Sequence, residues 1–80
     1  MVVFGEHRYF GVSYPFPPEI AFTPENNIYL TVEQAMMDFV GLIKFIREDY
    51  KMQDKAAIVF GGSYGGMLAA WLRIKFPQTF

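Results

Sequence analysis

A five-residue motif, Gly61-Gly62-Ser63-Tyr64-Gly65, carries the clearest chemistry in this sequence of 80 residues. It fits G-x-S-x-G, the pattern of a sharp turn between a strand and a helix that presents a nucleophilic serine. Glycines at such a turn let the two elements approach closely, because they carry no Cβ. The helix that begins there directs backbone N–H groups and its positive dipole end at the serine. The motif therefore predicts Ser63 as the nucleophile of acyl transfer and the N–H of Tyr64 as an oxyanion-hole donor.

The segments on either side of the motif suit that turn. Residues 56–60 form a continuous apolar run, which is typical of a buried parallel strand. Residues 67–76 have apolar positions at helical spacing, with Pro77 just beyond. Upstream, residues 31–50 predict a longer helix, because Thr31 and Gln34 have the spacing of a capping box and apolar residues recur every three or four positions.

The order of elements predicts the fold class. A short β-prone run at residues 2–4 is followed by a proline-rich loop over residues 12–30, then by the helix, strand, turn and helix already described. This order predicts an α/β fold, a βαβα piece of a doubly wound parallel sheet with right-handed crossovers. Because 80 residues are few for such a domain, residues 1–80 are expected to be an incomplete part of a larger one.

Three other interpretations of the glycine-rich motif are less well supported. A phosphate-binding loop would need Lys-Ser or Lys-Thr after the glycines, and Tyr64-Gly65-Gly66 stands there instead. A transmembrane helix over residues 56–72 would carry no charge, but it is short and holds four glycines within six positions. A structural turn with a bystander serine is the third.

A second polar cluster, Glu6-His7-Arg8-Tyr9, follows the first predicted strand, so it is expected at the same sheet edge as Ser63. Two interpretations stay open for it. The residues form a buried, mutually satisfied polar network that holds the loop, or Glu6, His7 and Arg8 form a substrate-pocket wall in which Glu6 or Arg8 meets a charged peptide terminus. His7 is not expected to be the catalytic base, because it precedes Ser63 and the triad order is serine, acid, histidine. The acidic residues Asp38, Glu48, Asp49 and Asp54 are expected to be solvated charges.

Composition excludes several classes of function. The net charge is −1 and no basic stripe is present, so no nucleic-acid partner is expected. The chain has no cysteine and one histidine, so neither a disulfide nor a metal site is expected, and no cofactor is predicted. No signal peptide is visible in these residues and no membrane association is expected.

Several motifs together resemble one family. Their residues are Glu6-His7-Arg8-Tyr9-Phe10-Gly11, Thr31-Val32-Glu33-Gln34-Ala35, Asp38-Phe39, Phe60 to Trp71 and Arg73-Ile74-Lys75-Phe76-Pro77. They resemble the lysosomal Pro-Xaa carboxypeptidase and dipeptidyl peptidase II family of serine peptidases over almost the whole chain. Two positions depart from the family pattern: Phe10 replaces a tyrosine, and Val12 stands where a charged residue is common.

The resemblance implies an α/β-hydrolase core with an inserted helical cap, of which residues 1–80 would be part of the catalytic domain. It implies an exopeptidase that cleaves beside proline, with Ser63 on the family's nucleophile and Tyr64 on its oxyanion-hole residue. The family's Asp and His would lie downstream of residue 80, so the 80 residues alone are expected to be inactive. The implied substrate is a peptide with proline near a terminus, the implied location is lysosomal or secreted, and a homodimer of the longer protein is left open. Carboxypeptidase and dipeptidyl peptidase are not separated, and another acyl-transfer enzyme of the same fold, such as an esterase, is the alternative.

Overall fold

The computed structural model describes residues 1–80 and contains helices joined by turns and irregular segments. A short 3₁₀ helix spans Asn27–Tyr29, and two α-helices follow it: α1 (Val32–Asp49) and α2 (Ser63–Lys75). The chain divides into two compact units, Met1–Asp38 and Phe39–Phe80, with the division inside α1. We refer to these as the first and the second unit.

Helix α1 begins as the sequence predicts. The Thr31 hydroxyl oxygen accepts a hydrogen bond from the Gln34 backbone N–H at 3.2 Å, which satisfies one of the N–H groups that a helix start leaves without an intrahelical acceptor. The reciprocal half of the predicted capping box is absent, because the Gln34 amide oxygen accepts from Arg8 instead. Ala35 and Met36 are the buried residues of this helix.

Helix α2 begins four residues earlier than predicted, at Ser63 rather than Met67. Two glycines therefore lie in its first turns, although each glycine costs an interior helix position about 1 kcal/mol relative to alanine. Leu68 and Leu72 are the buried residues of this helix. The helix ends where Phe76 donates its N–H to the Leu72 carbonyl at 2.8 Å, one residue before Pro77.

The predicted α/β fold, a βαβα piece of an α/β-hydrolase doubly wound parallel sheet, is wrong for this chain. Neither residues 2–4 nor residues 56–60 form a strand, and no sheet is present. A strand forms only when it is hydrogen-bonded to a neighbouring strand. An apolar run indicates that a segment would suit a sheet, but it does not provide that neighbour. Ile58 and Phe60 are 89% and 73% exposed, so this run also lacks the covering on both faces of an interior parallel strand.

The first unit is organised around Tyr9, whose side chain is almost fully buried. Its hydroxyl donates a hydrogen bond to the Asn26 carbonyl, and its ring lies 5.7 Å from that of Phe22. Ala21, in the proline-rich segment, is also fully buried. The long loop predicted over residues 12–30 is therefore a series of turns folded around one aromatic side chain.

None of the helices is both long and apolar enough to cross a membrane. The alternative of a spanning helix over residues 56–72 is wrong, because α2 begins only at Ser63.

Candidate functional site

Ser63 is the first residue of α2 and has a left-handed backbone conformation, with φ +52°. Gly62 before it is extended, with φ −117° and ψ +154°, so the chain changes direction within two residues. A non-glycine residue in the left-handed region costs about 1–2 kcal/mol, because its Cβ approaches the following carbonyl oxygen. Ser63 is exposed, so the turn presents its hydroxyl to solvent.

The glycines of the motif have unequal structural roles. A Cβ on Gly61 would lie 2.6 Å from the carbonyl carbon of Gly65, and a Cβ on Gly66 would lie 3.0 Å from the Gly61 oxygen. Backbone atoms cannot move aside as a flexible side chain can, so residue 61 must be glycine for the turn to close. The prediction that Gly65 also allows close approach is wrong, since a Cβ there would meet nothing within 4 Å.

The start of α2 has the electrostatics of an anion site. The Gly66 N–H bonds the Gly62 carbonyl at 3.0 Å, so the helical ladder begins beside Ser63. Gly62 brings no side-chain cap, the first turn holds no acidic residue, and Arg73 and Lys75 occupy the last turn. The positive dipole end is therefore not offset by a local carboxylate. Tyr64, 39% exposed, contributes a backbone N–H to this first turn.

Glu6 closes a tight turn in the first unit. Its Oε2 accepts hydrogen bonds from the Ser13 hydroxyl at 2.5 Å and from the Val12 backbone N–H at 3.1 Å. The Ser13 hydroxyl, followed by the Val12 N–H, holds the pKa of Glu6 below its ordinary value. Gly11 has φ +56° and lies against the same carboxylate, which a Cβ at that position would strike.

Arg8 connects this turn to α1. Its Nε and Nη2 donate to the two carboxylate oxygens of Asp38 at 2.6 and 2.7 Å, and its Nη1 donates to the Gln34 side-chain oxygen at 2.6 Å and to the Tyr29 carbonyl at 3.0 Å. The hydrogen bond to Asp38 raises the pKa of Arg8 further above its ordinary value. The bidentate pair is partly solvated, since the Arg8 and Asp38 side chains are 21% and 43% exposed.

The role of Asp38 was missed at the sequence level. The sequence predicts a solvated charge, and the Asp38 side chain is 43% exposed, but it also pairs with Arg8. The available signal was the spacing of Gln34 and Asp38, four residues apart and so on one face of the predicted helix. Two acceptors at that spacing match the fork of an arginine side chain.

His7 bonds within its own turn. Its Nδ1 lies 2.7 Å from the Arg8 carbonyl oxygen, which can only accept, so Nδ1 carries the proton. Its ring meets that of Phe10 edge to face, with centroids 5.2 Å apart. His7 thus contributes a local hydrogen bond and a ring contact to the turn.

Glu6 and Arg8 line an open cleft of about 560 Å³ in the first unit. The full lining is Glu6, Arg8, Ser13, Tyr14, Pro15, Tyr29, Gln34 and Asp38. Each residue of the polar cluster has a hydrogen-bond partner; Tyr9 is buried, His7 and Arg8 are half-buried and Glu6 is exposed. Glu6 and Arg8 line the cleft, and His7 is not among its lining residues. A substrate-pocket wall made of these residues stays a prediction. The predicted shared sheet edge with Ser63 no longer follows, because it required the parallel sheet.

The structure groups no three His, Cys, Asp or Glu side chains in a way that could hold a metal ion. The chemistry available at Ser63 is that of a hydroxyl beside backbone N–H groups and a helix dipole.

Comparison with known proteins decides the family. The model of the family described as serine carboxypeptidase S28 matches residues 1–80. The chain belongs to the S28 family. The resemblance predicted from the motifs is thereby confirmed.

Relatives within the S28 family match almost the whole chain. It is 45% identical over 79 residues to the lysosomal Pro-X carboxypeptidase of Bos taurus and 46% identical over 79 residues to that of Homo sapiens, with 98% of this chain covered in each case. It is 48% identical over 80 residues to prolyl carboxy peptidase like protein 5 of Caenorhabditis elegans, with 96% covered. The matched region spans 16% of the length of each of these relatives.

Proposed function

We propose that the protein to which this chain belongs is a serine exopeptidase that cleaves beside proline, with Ser63 as its nucleophile. The observation that carries the proposal is the exposed Ser63 hydroxyl, held by a left-handed backbone at the first residue of α2. Backbone strain at an exposed hydroxyl beside a helix N-terminus is typical of activated nucleophiles. Membership of the S28 family supports the same reaction class.

In the proposed reaction, the Ser63 Oγ attacks the scissile carbonyl carbon and its proton passes to a general base. The carbonyl oxygen becomes an oxyanion that accepts a hydrogen bond from the Tyr64 N–H, in line with the α2 dipole. Collapse of this tetrahedral intermediate expels the amine and leaves an acyl-enzyme on Ser63. Water then attacks the ester carbon and releases the acid.

The general base and the acid that orients it are proposed to come from outside these 80 residues. The one histidine, His7, precedes Ser63, whereas the triad order in G-x-S-x-G hydrolases is serine, acid, histidine. We therefore expect the 80-residue chain alone to hydrolyse no peptide.

Proline specificity and a lysosomal location are proposed from the relatives, two of which are named lysosomal Pro-X carboxypeptidases. The substrate would be a peptide with proline next to the bond that is cut. Cleavage at either end of a peptide is consistent with the proposal. The enzyme would release a C-terminal residue after proline, or an N-terminal dipeptide that ends in proline.

The test is Ser63→Ala in the protein that contains this chain. Turnover of an acylated Pro-Xaa peptide and of an Xaa-Pro amide is measured side by side. We expect turnover of whichever substrate the unmodified protein cleaves to fall by at least about 10⁴-fold in the variant. Thr79→Val, which removes a hydroxyl elsewhere in the second unit, is the matched control and should retain full activity.

Two outcomes would contradict the proposal. Undiminished turnover in Ser63→Ala would remove Ser63 from the mechanism. A strong preference of the unmodified protein for simple acyl esters over both prolyl substrates would favour an esterase, because fold and nucleophile do not fix the substrate.

A further inference from the structure

The open cleft that Glu6 and Arg8 line is built entirely from residues of the first unit. Its volume of about 560 Å³ lies within the usual range for small-ligand sites, roughly 300–1,000 Å³. The charges and rings on its walls decide which class of ligand it fits.

The Arg8 guanidinium is largely occupied by hydrogen bonds within the protein. Four of the five N–H groups of its guanidinium donate to acceptors within the first unit, two of them to Asp38. A ligand carboxylate would have to displace Asp38 from a bidentate pair to bind Arg8 in the same geometry. The cleft is therefore poorly suited to an anion.

Glu6 keeps an acceptor available. The hydrogen bonds from the Val12 N–H and the Ser13 hydroxyl both go to Oε2, and the side chain is exposed. Its Oε1 lies beside Gly11, where the absence of a Cβ leaves room for the carboxylate. One oxygen thus anchors the turn while the other remains able to accept from a ligand.

The remaining walls favour a cation with an apolar neighbour. Glu6 and Asp38 carry two negative charges against one positive charge on Arg8, so the lining has a net charge of −1. Tyr14 and Tyr29 add aromatic rings, which attract cations through their faces. Both rings are held in place, Tyr14 edge to face with Phe22 at 6.1 Å and Tyr29 stacked on Phe16 at 6.0 Å.

We infer that this cleft binds a primary ammonium group attached to a small apolar group, with the ammonium donating to Glu6 Oε1. The α-ammonium of a peptide and the ammonium of a free alkylamine share this chemistry. The inference concerns the first unit only and does not depend on the role of Ser63.

The test is an NMR titration of the isotope-labelled chain with n-butylammonium chloride and with alanyl-prolinamide, followed on the ring signals of Tyr14 and Tyr29. We expect saturable shifts of these signals, and about tenfold weaker binding in Glu6→Gln, because a hydrogen bond to a charged group is lost. Glu19→Gln makes the same charge change at an exposed residue outside the cleft and should bind within about twofold of the unmodified chain.

Neutral probes test the unmodified chain without any variant. Butanol and N-acetyl-alanyl-prolinamide keep the apolar groups but lose the ammonium, and we expect neither to shift the tyrosine signals. Binding of the alkylamine without the peptide identifies a free-amine site, and binding of the peptide identifies a peptide-terminus site; both support the inference. Equal binding of charged and neutral probes, tighter binding of an acetylated peptide with a free carboxylate, or no saturable shift with either amine would overturn it.

Discussion

Ser63 combines an exposed hydroxyl with a left-handed backbone, and each property has a different consequence. Exposure makes the oxygen available for attack on a carbonyl. The left-handed backbone conformation is strained, and the folded turn maintains it. In the unfolded chain Ser63 is free of this strain. The strain can therefore be measured independently of any catalytic activity.

Ser63→Gly should stabilise the chain relative to Ser63→Ala. Glycine removes the left-handed strain of about 1–2 kcal/mol and adds about 0.5–1 kcal/mol of unfolded-state entropy, so the net gain in stability is up to about 1.5 kcal/mol. Urea unfolding followed by circular dichroism would measure it. Ala56→Gly, at a residue with no positive φ, should be destabilising; a Ser63→Gly variant no more stable than Ser63→Ala would show that the turn is unstrained.

Glu6 makes a pH dependence testable at the same scale. Its folded pKa lies below the ordinary value of 4.5, because Ser13 and Val12 donate to the charged form. The stability that this carboxylate contributes is therefore fully present above pH 4.5 and is lost as the pH falls through the lowered folded pKa. Urea midpoints measured between pH 6 and pH 2 should fall less steeply below pH 4.5 in Glu6→Gln than in Glu19→Gln. Identical slopes in the two variants would contradict the Glu6 contacts.

At the scale of the elements, the turn before α2 depends on one glycine more than on the others. A Cβ on residue 61 would collide with the backbone of residue 65, whereas a Cβ on residue 65 would meet open space. The two glycines occupy equivalent places in G-x-S-x-G, so the sequence pattern alone does not distinguish them. The distinction comes from the turn geometry.

Gly61→Ala should destabilise the chain by about 1–3 kcal/mol, because the turn must open to admit the methyl group. Gly65→Ala should be neutral or stabilising by up to about 1 kcal/mol, because alanine favours the helix that residue 65 has already entered. Thermal unfolding of the two variants side by side tests this contrast. Equal losses in both would mean that residue 65 is as crowded as residue 61.

Local signals predicted the helices better than the strands. Thr31 fixed the start of α1 because its cap is a contact between neighbours in sequence. Residues 56–60 were predicted as a strand from composition, but a strand needs a hydrogen-bonded partner that composition does not reveal. The predicted start of α2 is four residues late because glycines 65 and 66 argue against a helix by propensity. The close approach of Gly61 favours glycine at residue 66, whereas residue 65 has room for a side chain.

At the scale of the whole molecule, the sequence identified the family and the candidate nucleophile, and the long-range contacts came from the structure. The pairing of Arg8 with Asp38 joins residues 30 positions apart, and no local pattern specifies which charges will meet. The chain spans 16% of the length of the S28 relatives named above.

The most direct test of the central claim is covalent labelling of the protein that contains this chain with a fluorophosphonate, which reacts with activated serines. We expect one adduct, located by peptide mass spectrometry at Ser63, that is lost on heat denaturation and in Ser63→Ala. A phosphonylated serine elsewhere, together with an unmodified Ser63 in protein that hydrolyses prolyl peptides, would contradict it.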